Sequence, residues 1–323
     1  MKLARRDFLH LAAGAAVSPA ASRLALAESY PSRPVRVIVG FPAGSASDVV
    51  ARLTGQALSE RLGQQFVVEN RPGAGTNLAA EAVVRAPPDG YTLLLSTSTN
   101  AVNATLYRHL NFNFIHDVVA VASIDQTPYV FEANLSVPAK TLAEFIAYAK
   151  ANPGKINMAS NGIGSGPHVA GELFKMMAGL DLVHVPYTGN VYPDLIGGQV
   201  QVMFSPIPAS IGFVRAGQLR PLAVGTAKRL TILPDVPTVA EFVPGYEASG
   251  WHGIGAPANT PADIVEKLNT EINALLADPK FKERLADLGG LQMALSPAEF
   301  GKFTADEIDK WAKVIKFADI KAE

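Results

Sequence analysis

Three short apolar runs, Val35–Phe41, Phe66–Glu69 and Tyr91–Leu95, alternate with stretches whose apolar residues recur at helical spacing. A strand period that gives way to a helix period and returns specifies β-α-β-α-β, and the economical packing of that order is a parallel sheet with right-handed crossovers. Val35–Phe41 is nearly continuous in apolar residues, the pattern of a strand covered on both faces. The following helix places Val50, Leu53, Ala57 and Leu62 on one side, with Ser47 or Asp48 as its cap and Gly63 as its stop. Gly73–Asn77 opens a further helix, and Pro87-Pro88-Asp89-Gly90 makes a turn. Ligands on such sheets bind beyond the carboxyl ends of the strands, so the loop 41–48 and the polar cluster Ser96–Asn100 are the first places to look.

A second series begins with the apolar segment 121–131, which Pro128 is expected to interrupt. A helix over Thr141–Lys150 ends at Asn152-Pro153-Gly154, and a strand over Ile156–Ala159 runs into the loop Ser160–His168, where Pro167 suits a first helical turn. Strands are predicted at 183–187, 200–204 and 222–224, with a return crossing near Gly250–Pro257. Thr260-Pro261 is expected to cap a helix carrying Ile264, Leu268, Ile272 and Leu275, and a last helix buries Ile308, Trp311 and Ile315. The predicted architecture is α/β with two lobes, each a mostly parallel sheet flanked by helices. One lobe takes residues 28–126 plus 251–323, the other 127–250. Crossovers near 125–129 and 249–254 would form the hinge, with Trp251 packed against it.

The loop Phe41-Pro42-Ala43-Gly44-Ser45-Ala46-Ser47-Asp48 runs from a strand into a helix and carries no Lys or Arg. Such a junction aims backbone N–H groups and hydroxyls at one spot and suits a small anion held by neutral donors. A well-capped turn is the plainer alternative. Asp48 cannot hold an anion itself and is expected to order the loop by accepting its N–H groups. Thr97, Ser98 and Asn100 at the third strand end, and Ser160, Gly164, Ser165 and His168 in the second loop, complete the candidate donors. Tyr187, Thr188 and Ser205 are further candidates at later strand ends. His168 is either a donor in the cleft or a structural residue of its first turn, and His184 reads as a core histidine.

Enzymatic readings fit less well. Ile163-Gly164-Ser165-Gly166-Pro167 misses the Gly-x-Ser-x-Gly spacing of a nucleophile elbow. Gly162, Gly164 and Gly166 miss the dinucleotide fingerprint by one position. His168, His184 and His252 match no metal-ligand spacing. No cofactor or metal is expected. A secreted serine hydrolase using Ser165 is kept as the rival from another class.

Lys2, Arg5 and Arg6, an Ala-rich apolar stretch and Ala25-Leu26-Ala27 read as an export signal over residues 1–27. Arg5-Arg6-Asp7-Phe8-Leu9 resembles a twin-arginine signal, with an ordinary secretory signal as the alternative. Its removal takes four basic residues and one acidic residue, so the remaining 296 residues carry −4 rather than −1. That balance argues against nucleic acid and anionic membrane as partners. The chain has no Cys, which excludes disulfides and suits an oxidising compartment. The expected protein is a periplasmic monomer with no membrane insertion.

Several segments together are similar to the periplasmic solute-binding proteins of tripartite tricarboxylate transporters, often called the Bug family. They are Pro31–Arg36, Phe41-Pro42-Ala43-Gly44 with Asp48, Glu69-Asn70-Arg71-Pro72-Gly73-Ala74-Gly75, Ala86–Leu93, His184-Val185-Pro186-Tyr187 and the Leu-Pro-Asp-Val-Pro-Thr stretch at 233–238. The resemblance implies a two-lobed periplasmic-binding-protein fold of the Venus-flytrap kind, with a carboxylate between the lobes. It also implies membrane transporter subunits as partners, and leaves a sensor that feeds a signalling kinase as an alternative. The family's ligands include dicarboxylates, acidic amino acids and aromatic acids, held by the loops that match 41–48 and 160–168. The resemblance departs at Gln201-Val202-Met203-Phe204-Ser205, where the family often reads Asp-Val-Met-Phe-Asp. The loss of those acids implies a dicarboxylate without an amino group.

Overall fold

The computed structural model describes residues 30–322, so the expected export signal lies outside the described residues. The first series forms β1 (Val35–Val39), α1 (Ala46–Leu62), β2 (Phe66–Asn70), α2 (Asn77–Val84), β3 (Thr92–Thr97) and α3 (Ser98–Leu106). β1 pairs in parallel with both β2 and β3, as the alternation requires. The cap of α1 is Ser45, not Ser47 or Asp48: its Oγ accepts from the Asp48 N–H, which starts the helix two residues earlier than a cap at Ser47 would. Gly63 ends α1 in the left-handed region at φ 70°.

A short α4 (Phe114–Asp117) leads into β4 (Val118–Asn134), a strand of 17 residues. After it come α5 (Leu142–Ala151), β5 (Asn157–Ser160), α6 (Gly166–Ala178), β6 (Val183–Pro186), α7 (Tyr192–Gly197), β7 (Val202–Pro206), α8 (Ile207–Arg215) and β8 (Leu219–Val224). The chain returns through β9 (Ser249–Pro257) and finishes with α9 (Ala262–Ala277), α10 (Pro279–Asp287), β10 (Leu291–Gln292) and α11 (Pro297–Phe317). α9 is not capped by the Thr260 side chain, whose Oγ1 donates to the Pro257 carbonyl instead.

β4 belongs to two sheets. Residues 118–128 pair antiparallel with β9, whereas 129–134 pair antiparallel with β7 and β8. Pro128 does not interrupt the strand. It lies opposite Ser249 at the last rung of the β9 ladder, where a missing N–H costs least. The first sheet runs β2-β1-β3-β9-β4 with β10 on β4, and the second joins β5, β6, β7 and β8 to the far half of β4. Both sheets are therefore mixed, not mostly parallel. The parallel strands lie at one side of each sheet and the antiparallel pairs gather around β4, because β4 leaves one sheet for the other while β9 returns.

Trp251 is a core residue and does more than line a crossover. It packs edge-on against Phe300 of α11, and its Nε1 donates to the same Glu307 carboxyl as Trp311. In the second sheet Phe131 gathers Phe145, Phe174 and Phe204 within 5.1 Å between ring centroids. Among the described residues no helix is long and apolar enough to cross a membrane.

Candidate functional site

The loop between β1 and α1 is ordered by Asp48, as its sequence setting suggests. The Asp48 carboxylate accepts from Gly44 N (2.8 Å), Asn70 Nδ2 (2.8 Å) and Arg52 Nε (2.9 Å). Burial pushes this carboxyl upward, but the bonds from Arg52, Gly44 and Asn70, together with the Arg52 charge, outweigh it and hold the group below its ordinary value. Asp48 is fully occupied by its own loop. Asn70 also donates to the Phe41 carbonyl, so β2 clamps the loop from the side. Pro42, Ala43 and Gly44 stand at the exposed tip, and Gly44 takes φ 81° with open space where a Cβ would project.

Ser47 faces inward. Its Oγ lies 3.0 Å from His252 Nε2, and His252 Nδ1 lies 2.7 Å from Asp125 Oδ1. His252 is opposite Thr97 in the β3–β9 ladder and opposite Asp125 in the β4–β9 ladder, so three strands fix this contact. Thr97 caps α3 through a box in which Asn100 Oδ1 accepts from Thr97 N at 2.8 Å, and Asn100 Nδ2 donates to Thr76 Oγ1. Thr76 itself has φ 81° and packs where a Cβ on Gly40 would meet it at 2.5 Å.

The second loop approaches the same region through Tyr129. The Tyr129 hydroxyl bonds Ser98 and fills the place a Cβ on Gly166 would need. Gly164, at φ 74°, abuts Leu106 of α3, 2.5 Å from where its Cβ would stand. Ser165 caps α6 by accepting from His168 N. Contacts thus run from Ser47 through His252 and Thr97 to Ser98, and through Tyr129 to the start of α6.

Other candidates are placed elsewhere. His168 is a structural residue of its first turn: Nδ1 accepts from Gly164 N at 3.0 Å, and its ring stacks on His184 with centroids 3.6 Å apart. Burial, with the His184 and Lys175 charges, pushes His168 down to about 3. His184 is half-buried on an edge strand, not in the core, with Nε2 at 2.7 Å from Ser160 Oγ; burial and Lys175 push it down to about 4. Ser160 therefore spends its hydroxyl on His184 and Gly162. Tyr187 donates to Asp194 at 2.8 Å, and Thr188 is exposed beside it.

Ser205 is fully buried and donates to Glu132 on the neighbouring strand. Gln201 lies at the starts of β5 and β7, accepting from Asn157 N and donating to the Gly198 carbonyl. Starts of parallel strands are the wrong end for a ligand. Ser205 lies near the carboxyl end of β7, and both side chains are engaged by neighbouring protein groups. The hydrolase reading through Ser165 loses its base, because the His168 ring points its Nδ1 at Gly164. Among the described residues no group of three or more His, Cys, Asp and Glu side chains could hold a metal ion.

His252, Asp125 and Tyr129 were not singled out as site residues by sequence. The sequence offers His252 only as a possible metal ligand, and Asp125 and Tyr129 sit inside an apolar run. Their one signal is polarity within a strand otherwise built to be buried.

A mixed α/β sheet pair joined by a shared strand, with donor-rich loops at the strand ends, is the architecture of solute-binding proteins. The family described as "Tripartite tricarboxylate transporter family receptor" matches residues 50–320. The chain belongs to this family, also called TctC or Bug. It is 37% identical to Protein BugT of Bordetella pertussis over 295 residues, covering 90% of each chain. Among solved structures it is similar to an R. palustris protein with adipate (38% identity, TM-score 0.77, 90% of this chain and 99% of that one). It is also similar to MatC from Rhodopseudomonas palustris with bound malate (32% identity, TM-score 0.74, 88% of this chain and 100% of that one).

Proposed function

We propose that this protein captures a small dicarboxylate in the periplasm and delivers it, as a monomer, to the membrane subunits of a tripartite tricarboxylate-type transporter. The observation that carries the reading is the α1 loop. Asp48 is consumed internally, Ser47 faces inward, and helix geometry leaves the Ala46 and Ser47 amides without i−4 partners. The positive end of a helix dipole adds to those donors and suits a carboxylate. Thr97, Ser98 and the start of α6 supply a second set of neutral donors. The two carboxylates of adipate or malate in the similar structures support a ligand of that class.

Lobes of 28–126 plus 251–323 and of 127–250 would close on the ligand by bending where β4 changes sheets, next to the Gly225 N to Tyr129 carbonyl bond. A thermal-shift panel of adipate, malate, benzoate and glutamate tests the reading. A diacid at 100 times its Kd should add about 2.7 kcal/mol of stability. No shift with any carboxylate would overturn it.

A further inference from the structure

Ser47, His252 and Asp125 are 8%, 8% and 1% exposed, and they form a line of two short contacts. A carboxylate only accepts hydrogen bonds, so His252 must donate to Asp125 from Nδ1. In a neutral ring Nε2 then carries a lone pair, and the Ser47 hydroxyl must donate to it. That leaves only lone pairs on Ser47 Oγ facing a ligand, the wrong polarity for a carboxylate. Two escapes exist. Ser47 can turn away and abandon a buried imidazole nitrogen, which is costly. Or His252 can take a proton, donate to Ser47 from Nε2, and free the Ser47 hydroxyl to donate to the ligand.

We infer that a carboxylate binds at Ser47 together with one proton, which is held on His252 between Asp125 and Ser47. The inference rests on the carboxylate-binding reading above. In the balance, one proton comes from solvent onto Nε2 and offsets the charge of the carboxylate at Ser47, so a bound dianion adds one net negative charge, that of its second carboxylate. Asp125 supplies the second negative neighbour of the imidazolium. Several other charged side chains on the elements around His252 are paired, and Glu132 on β4 lies in the second sheet against Ser205. Asp48 is bound to Arg52 on α1, and Glu307 to Lys310 on α11. Glu172 is bound to Lys175 on α6, and Glu81 on α2 to Arg85. β3 and α3 carry no charged residue. Asp125 is the carboxylate in direct contact with His252, and the ligand would be the second negative group at this line of contacts.

The test is calorimetry of malate binding to the whole protein from about pH 6.5 to about pH 8.5, a range in which malate stays a dianion. Each pH is run in phosphate and in Tris, whose ionisation heats differ. Affinity should fall with rising pH, by up to about tenfold per unit, which is about 1.4 kcal/mol. The heat should depend on buffer in the sense of proton uptake. His252→Gln should remove both dependences. If that variant does not fold, the wild-type buffer series still decides, and a nitrogen-15 spectrum of the imidazole should show protonation on adding malate. Binding with no pH or buffer dependence, or proton uptake persisting in His252→Gln, would overturn the inference and leave carboxylate binding intact. No binding of malate or adipate at any pH would overturn the underlying reading as well.

Discussion

Glu132 lies on β4 with its carboxyl fully buried against Ser205, and one of its oxygens, Oε2, has no hydrogen-bond partner. Burial pushes this carboxyl up to about 7, against the lowering effect of the bond from Ser205. A raised folded value means that stability is full below the unfolded value near 4.5 and is lost as pH rises through about 7. Glu132→Gln should therefore match the wild type near pH 4 and exceed it above pH 7, by on the order of 2–3 kcal/mol in denaturant titrations. A gap that does not grow with pH would show that Glu132 is not held neutral. Asp48 carries the opposite sign. Its lowered carboxyl stabilises the protein above the unfolded value, and that contribution is lost as pH falls through the folded one. Asp48→Asn keeps the shape but weakens the bonds from Arg52 and Gly44. It should cost about 1–2 kcal/mol at neutral pH and weaken carboxylate binding through the loop, as urea titration and calorimetry would show.

At the scale of elements, α6 depends on Ser165, whose Oγ accepts from His168 N. Ser165→Ala should lower stability by about 1 kcal/mol in a thermal melt. A serine-directed phosphonate should leave Ser165 unlabelled, because no base lies against it; labelling there would revive the hydrolase. The elements also show what the sequence made legible. β1, β2, β3, α1 and α5 fall within a residue or two of their expected bounds, because period, cap and stop all agree there. β4 was misjudged because Pro128 looks like a breaker, and nothing local says that the ladder on that side ends at Pro128. Capping α1 at Ser45 was missed since three of the four residues from Ser45 to Asp48 are competent caps. The short α4, α7 and α8 and the charged α10 give too few periodic positions to read.

Across the molecule, the two donor loops were recognisable because glycine, serine and a strand end coincide in each. The link between them was not, because Tyr129 and His252 reach it from strands distant in sequence, and strand pairing between β3, β4 and β9 is not local information. Two sheets that share β4 are expected to bend where it changes partners. Small-angle scattering should give a smaller radius of gyration with saturating adipate than without it; an unchanged radius would contradict closure on the ligand.

The most direct measurement is titration calorimetry of adipate and malate into the wild type and into Gly44→Val. Gly44 sits at φ 81° with its N–H on Asp48, and valine strains that conformation while leaving the rest of the core untouched. The wild type should give saturable one-to-one binding of at least one of the two diacids. The folded variant should lose at least about tenfold in affinity, or about 1.4 kcal/mol. Equal affinity in a folded Gly44→Val protein would contradict a carboxylate site built on the α1 loop.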